Sequence, residues 1–171
     1  MRNPKIRMAL VVLFAVLFVD STLGCLGGDS ETRERSLSSL TIDFMGEEGS
    51  MNPGNMTVWE NISGSWVQTT FSNQNVTEYV FLNISAANCL EQMEQAGELA
   101  GFEIEKVYYA TLSSWFITTV DGSENELGGH NWQFWVNGEY AIEGADKIWL
   151  EEGDQVIWRY TASTIGDSDE I

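Results

Sequence analysis

Short strand patterns separated by tight-turn dipeptides fill the second half of the chain, and they restrict its fold more than any other feature. Asp121-Gly122 and Asn137-Gly138 combine residues that tolerate positive φ, which predicts tight hairpin turns, and Gly153-Asp154 predicts a further turn. Five segments rich in aromatic and β-branched residues read as strands: Phe102–Ala110, Ser114–Val120, Trp132–Val136, Lys147–Leu150 and Gln155–Thr161. This half therefore predicts a sheet.

The first half adds further strand patterns. Leu40 to Met45 alternates apolar and polar residues, as a half-buried strand does. Three more candidates follow at Thr57–Trp59, Ser65–Phe71 and Val76–Ile84. The last of these leads directly into the helical pattern.

A helix is predicted over about residues 85–97, with Ser85 as its N-cap and Gly97 and Gly101 around its end. Its apolar face is expected to hold Cys89, Leu90, Met93, Ala96 and Ala100, and its polar face Glu91, Gln92, Glu94 and Gln95. Cys89 is thus interpreted as a buried core thiol. One helix laid on strands predicts an α+β fold, a β-grasp-like mixed sheet in a single domain spanning residues 40–163.

The N-terminus has the layout of a secretory signal. Arg2, Lys5 and Arg7 precede an apolar run of 12 residues, Met8 to Val19. A transmembrane helix needs about 20 apolar residues, so we expect residues 1–24 to be a signal peptide that is removed.

Thr22-Leu23-Gly24-Cys25 resembles the lipobox of prokaryotic lipoproteins. The resemblance implies that Cys25 is lipidated and holds the protein at the outer face of the cell membrane, with the lipid as its only membrane contact. The alternative is a secreted protein in which Cys25 is free or paired with Cys89. Residues 25–39 are expected to form a tether, and residues 164–171 an acidic disordered tail.

Charge and composition exclude several classes of function. Asp and Glu number 26 against 8 Lys and Arg, which gives a formal net charge of −18, so no nucleic-acid partner is expected. One His and two Cys argue against a zinc site built from soft ligands. Candidate acid–base residues lie in polar turns, namely Glu124, Glu126 and the Glu151-Glu152 pair, and His130 lies in a loop. We interpret them as solvated surface residues and not as catalytic groups, so no enzyme activity is predicted.

Four Asn-x-Ser/Thr triplets predict glycosylation of an exported chain, with chance occurrence as the alternative. Their acceptors are Asn55, Asn61, Asn75 and Asn83.

The segment from Trp132 to Tyr160 resembles the C-terminal domain of transcobalamin and intrinsic factor, and of small prokaryotic surface domains that share its pattern. The matching features are Trp132 to Val136, Asn137-Gly138, Gly144-Ala145, Gly153-Asp154 and Trp158 to Tyr160. The resemblance implies a β-grasp relative that binds soluble ligands. It also implies that Trp132, Gln133 and Phe134 lie along a corrinoid.

The resulting hypothesis is a surface module without catalysis that binds a small soluble ligand, a cobalamin-like corrinoid among the candidates, through Trp132, Gln133, Phe134 and Trp135. No catalytic cofactor is expected. Because the relatives that bind cobalamin enclose it with a second, helical domain, a partner would be needed for tight capture. The alternative is a structural or adhesive, glycosylated envelope protein that binds a protein or glycan partner.

Overall fold

Ten strands and one α-helix make up most of residues 33–44 and 54–162, which the computed structural model describes apart from the side chain of Asn73. The elements are β1 Ser36–Asp43, β2 Gly54–Ile62, β3 Ser65–Gln74, β4 Glu78–Ala86, α1 Cys89–Ala100, β5 Ile104–Tyr109, β6 Ser114–Val120, β7 Ser123–Glu124, β8 His130–Val136, β9 Glu139–Tyr140 and β10 Gln155–Ala162. A short 3-10 turn, Leu127–Gly129, precedes β8.

The strands form two sheets. Seven of them hydrogen-bond in the order β3-β2-β4-β1-β10-β8-β9, and β5-β6-β7 form a smaller sheet. The large sheet is mixed, because β1 runs parallel to β10 and β2 runs parallel to β4 while the other pairs are antiparallel. The predicted mixed sheet with one main helix is confirmed, although the domain is more β-rich than the α+β label suggests.

One face of the large sheet forms the hydrophobic core. Leu40 and Ile42 of β1 are fully buried beside Phe81 of β4 and Trp158 of β10. The apolar face of α1 belongs to the same core, and Cys89, Met93 and Ala96 are each 0% exposed. The strand alternation and the helical spacing therefore predicted these buried positions correctly.

The helix begins later than predicted. Its N-cap is Asn88, whose side-chain oxygen accepts a hydrogen bond from the Glu91 N–H at 2.9 Å. Ser85 is not the cap, because β4 continues through Ala86, pairing Ser85 with Leu37 of β1. The helix ends at Ala100, three residues beyond the predicted position, with Gly101 in the left-handed conformation at its C-cap.

The prediction that Gln92 lies on the polar face of the helix is wrong. Its side chain is 0% exposed, and Nε2 donates to Ser38 Oγ at 2.6 Å and to the Ser39 carbonyl at 3.2 Å. The helical period distinguishes only apolar from polar positions. It cannot predict that a polar side chain will be buried by hydrogen bonds to residues 53 or 54 positions away.

The segment Lys147–Leu150 is not a strand, which corrects the sequence prediction. Trp149 makes an isolated bridge to Asn88, and the Ile148 carbonyl accepts from the Cys89 N–H at 3.1 Å. The segment thus hydrogen-bonds to the start of α1 instead of joining a sheet. The predicted first strand begins at Ser36, four residues before Leu40, and its predicted end at Met45 lies outside the described residues.

The predicted glycine turns are confirmed. Both residues of Asp121-Gly122 and both residues of Asn137-Gly138 have positive φ, as a tight hairpin requires. Gly153 also has positive φ, and Asp154 accepts from the Asn137 side chain at 2.8 Å.

Candidate ligand-binding site

A cleft of about 790 Å³ lies where the small sheet meets the large one. Its lining on one side comes from β5, β6, the turn between them and residues 124–126, and on the other from β8, β9, β10 and the loop 141–145. The lining residues are Tyr109, Leu112, Trp115, Phe116, Ile117, Thr118, Glu124, Asn125, Glu126, Asn131, Trp132, Gln133, Phe134, Tyr140, Ala141, Ile142, Glu143, Gly144, Ala145 and Trp158.

Trp132 is held firmly at the cleft. Its indole Nε1–H donates to the Ser123 carbonyl at 2.8 Å, and its ring makes an edge contact with Phe44 and a tilted contact with Tyr160, at centroid distances of 5.5 and 5.3 Å. The side chain is 7% exposed. Its polar atom is therefore satisfied within the fold, which leaves its ring surface as the part that a ligand can contact.

Phe134 lies next to Trp132 on the same face of β8, two residues along the strand. Its ring stacks on Trp158 of β10 at a centroid distance of 4.4 Å and an interplanar angle of 13°. This stack brings a second and third aromatic ring to the cleft. It also explains why Phe134 is buried.

Gln133 and Trp135 lie at the alternate positions of β8. Gln133 borders the cleft, but its Nε2 donates to the Ala162 carbonyl at 3.2 Å. Trp135 makes an edge contact with Tyr140 at 5.4 Å, and the Arg159 guanidinium lies 5.3 Å from its ring centroid. The structure thus brings Trp132, Gln133 and Phe134 together at the cleft and places Trp135 outside its lining.

Asn125 joins the two sheets, and sequence reasoning did not identify it. Its Oδ1 accepts from the Trp132 N–H at 2.8 Å, and its Nδ2 donates to the Ile117 carbonyl at 3.0 Å. The Asn125 N–H donates to the Thr118 carbonyl at 2.8 Å. In the sequence, Asn125 is one more polar residue between two glutamates, so no local signal distinguishes it.

A second junction fixes the β5–β6 hairpin to the loop that follows β9. The Asp146 carboxylate accepts hydrogen bonds from Ser114 Oγ and, at 3.2 Å, from the Trp115 N–H. A Cβ on Gly144 would lie 1.8 Å from Ser114 Oγ, so only glycine fits there. The next residue, Ala145, is buried.

The rim of the cleft includes exposed apolar side chains. Ile142 is 90% exposed and Leu112 61%, and Tyr140 and Trp115 are exposed to a smaller extent. Apolar side chains around a concavity are typical of binding sites, whereas isolated ones occur on any surface.

The cleft carries acidic groups. Glu124, Glu126 and Glu143 line it, and the described residues of its lining include no Lys, Arg or His. Next to it, burial and the Glu124 carboxylate raise the pKa of Tyr160, whose hydroxyl donates to the Glu124 and Leu127 carbonyls. His130 stacks on that same ring at 5.5 Å.

Cys89 lies away from the cleft, in the core. Its thiol is free, and burial, with a smaller contribution from Asp154, raises its pKa from 9.0 to about 12. The prediction of a buried core thiol is confirmed.

The other predicted sites are modification sites. Asn55, Asn75 and Asn83 are exposed and Asn61 is half-buried, with its Oδ1 accepting from the Gly64 N–H at 2.8 Å. Cys25, the signal peptide, most of the tether and the acidic tail lie outside the described residues.

The described part of the chain holds neither a cluster of metal ligands nor a helix that could span a membrane. Within residues 33–44 and 54–162, no set of three or more His, Cys, Asp or Glu side chains is grouped as a metal site would require. Over the same residues, the helix present is too short and too polar to cross a bilayer.

Comparison with known proteins gives a partial family match. The model of the family described as "Domain of unknown function (DUF4430)" matches residues 85–162, which include α1 and the cleft. No curated protein matches the chain.

Two solved structures resemble the chain at low TM-scores. One, from Ruminococcus gnavus ATCC 29149, is described as a "putative metal binding protein"; it is 19% identical with a TM-score of 0.37, over 66% of this chain and 98% of that one. The other is haptocorrin in complex with Cbi, 20% identical with a TM-score of 0.36 over 66% of this chain. The chain spans about a quarter of haptocorrin, 26% of its length.

Proposed function

We propose that this chain is a ligand-binding module without catalytic activity, a relative of the transcobalamin-like β-grasp domains, held at the outer face of the cell membrane by a lipid on Cys25. The observation that carries the binding function is the cleft of about 790 Å³ between the two sheets. Small-molecule sites occupy about 300–1,000 Å³. The export signal, the lipid and the β-grasp kinship are supported by the sequence patterns.

The composition of the cleft favours binding over a packing defect. Trp132, Phe134 and Trp158 line it as buried aromatic side chains, while Ile142 and Leu112 leave apolar surface in water at its rim. Covering apolar surface stabilises a complex by about 25 cal/mol per Å² before the costs of association are subtracted. A ligand that fills the cleft would therefore gain mainly from covering the exposed rim.

A small soluble ligand fits this cleft better than a whole corrinoid. Trp132, Gln133 and Phe134 are the residues that the transcobalamin resemblance assigns to corrinoid contact, and they border the cleft. A corrinoid lying there would keep its opposite face in water, so its affinity for this chain alone would be low. A second protein covering that face would be required for tight capture.

Calorimetric titration of the full chain with cobinamide and with simple glycans tests the proposed function. Because Trp132 is buried, the informative variant is Ile142→Ala combined with Leu112→Ala at the exposed rim. We expect this double variant to weaken binding by about fivefold or more, since it removes two apolar contacts. Ile62→Ala, on the exposed part of β2, is the matched control and should bind normally.

Absence of heat from cobinamide and from every glycan up to millimolar concentration would refute binding of these two ligand classes. Equal affinities for the rim variant and the control would place the site elsewhere on the molecule.

The alternative, an adhesive envelope protein, is favoured by a different observation. Strand β3 forms one edge of the large sheet, extends over 10 residues and contains no charged side chain, with Val67 and Phe71 exposed along it. Exposed, uncharged edge strands readily pair with a strand of another protein. Under this alternative, Val67→Lys would abolish association with an envelope protein and leave ligand titrations unchanged.

A further inference from the structure

The cleft unites negative charge and aromatic surface, and this combination restricts the ligand it can hold. Three carboxylates, those of Glu124, Glu126 and Glu143, line it, and the described lining residues contribute no positive side chain to balance them. No ion pair or side-chain hydrogen bond joins any of these three carboxylates to another described residue. Their charge is therefore available to a ligand.

The nearby basic residues are already engaged. Lys147 pairs with Asp146 at 3.5 Å, and Lys106 pairs with Glu94. Neither lysine lines the cleft. No basic side chain of the described lining therefore neutralises the glutamates.

Aromatic rings face the cleft from both sheets. Seven lining residues are aromatic, namely Tyr109, Trp115, Phe116, Trp132, Phe134, Tyr140 and Trp158. The face of an aromatic ring attracts a cation, most strongly when the pair is shielded from water. The protein already uses this contact at the edge of the cleft, where Lys106 Nζ lies 4.9 Å from the Trp115 ring centroid.

The net charge of the whole chain also favours a cation over an anion as the ligand. A formal net charge of −18 attracts cations and repels anions, and a concave, partly apolar surface concentrates that field. A divalent metal is a poorer match, because the described acidic residues do not form a group that could coordinate one.

We propose that the cleft binds an organic cation, an amine or quaternary ammonium group attached to an apolar or aromatic body. This inference rests on the proposed function of the cleft and names the chemical class of its ligand. The apolar body would lie against Trp132 and Phe134, and the positive group would lie near the glutamates at the mouth.

Three probes that share a benzyl group and differ in charge test the inference: benzyltrimethylammonium, benzyl alcohol and phenylacetate. Titration of the full chain, followed by calorimetry and by the NMR signal of the Trp132 indole N–H, should show the cation binding about tenfold more tightly than the alcohol. Phenylacetate should bind most weakly, and added salt should weaken the cation alone.

The variant Glu126→Gln combined with Glu143→Gln removes charge with little change of shape. It should reduce the preference for the cation by about fivefold and leave the affinity for benzyl alcohol unchanged. Glu103→Gln, at an exposed position outside the cleft lining, is the matched control and should retain the full preference.

The outcomes separate the two proposals. If all three probes bind equally and the double variant Ile142→Ala with Leu112→Ala still weakens their binding, the cation assignment is overturned and the proposed function is retained. Failure of all three probes together with cobinamide and the glycans would overturn both.

Discussion

At the scale of single residues, Cys89 shows how burial sets chemistry. The thiol is fully buried at the start of α1, and its pKa is raised from 9.0 to about 12. Below pH 9 the thiol keeps its proton in both the folded and the unfolded state. Above pH 9 the unfolded chain loses the proton first, so alkaline pH favours unfolding through this group.

The corresponding prediction compares wild type with Cys89→Ala in denaturant titrations at pH 8 and pH 10. The stability advantage of wild type over Cys89→Ala should shrink by about 1.4 kcal/mol between these values, since one site loses about 1.4 kcal/mol per pH unit above its unfolded pKa. The tyrosines with raised pKa values, Tyr79 and Tyr160, are present in both proteins and cancel in the comparison. A pH-independent difference would contradict the prediction.

At the scale of elements, the start of α1 was decided by competition between a strand and a helix. Ser85 and Asn88 are both good N-caps, so the sequence allowed either. The pairing of Ser85 with Leu37, and of Ala86 with Ser36, keeps this segment in β4. The helix can then begin only at Cys89, with Asn88 as its cap and the Glu91 carboxylate accepting from the Ala87 N–H at 2.7 Å.

Two alanine substitutions distinguish these caps. Asn88→Ala should lower the free energy of unfolding by about 1 kcal/mol, because the Glu91 N–H loses its side-chain acceptor. Ser85→Ala is the matched control and should change it by less than about 0.5 kcal/mol. The reverse order, measured by chemical denaturation, would show that the helix begins at Ser85 in solution.

At the scale of the whole molecule, strands that are distant in sequence bring like charges together. Asp43 of β1 is directly opposite both Glu78 of β4 and Arg159 of β10. Burial, and then the Asp43 carboxylate, raise the pKa of Glu78, while Arg159 partly opposes them. A raised carboxyl pKa stabilises the fold at acidic pH, and that stabilisation is lost as the pH rises and Glu78 ionises.

Glu78→Gln should therefore raise the melting temperature at about pH 7, where it removes an unfavourable charge. The gain should diminish towards about pH 4, where the wild-type carboxyl is increasingly protonated. Calorimetry at the two pH values measures this, with the exposed Glu103→Gln as the control that should show a smaller gain. A melting temperature lowered at neutral pH would mean that the attraction to Arg159 outweighs both other effects.

The candidate site was predictable only in part. The aromatic pattern and the resemblance that it carried identified Trp132, Gln133 and Phe134, and these border the cleft. The sequence patterns did not identify Asn125 as part of a site, nor the opposite wall at Ser114, Gly144 and Asp146. The contacts of these residues join positions 7 to 32 residues apart. Whether a polar residue finds such a partner depends on how the sheets meet.

The sequence by itself determined the local geometry of this protein. Backbone preferences and side-chain periods that act within a few residues determine three of its features. These are the Asn137-Gly138 and Asp121-Gly122 turns, the strand alternation around Leu40 and Ile42, and the apolar face of α1. The tertiary structure decided the pairing of β1 with β10, the burial of Gln92 and the cleft between the sheets. These depend on contacts between distant segments, whose energies no local period of the sequence encodes.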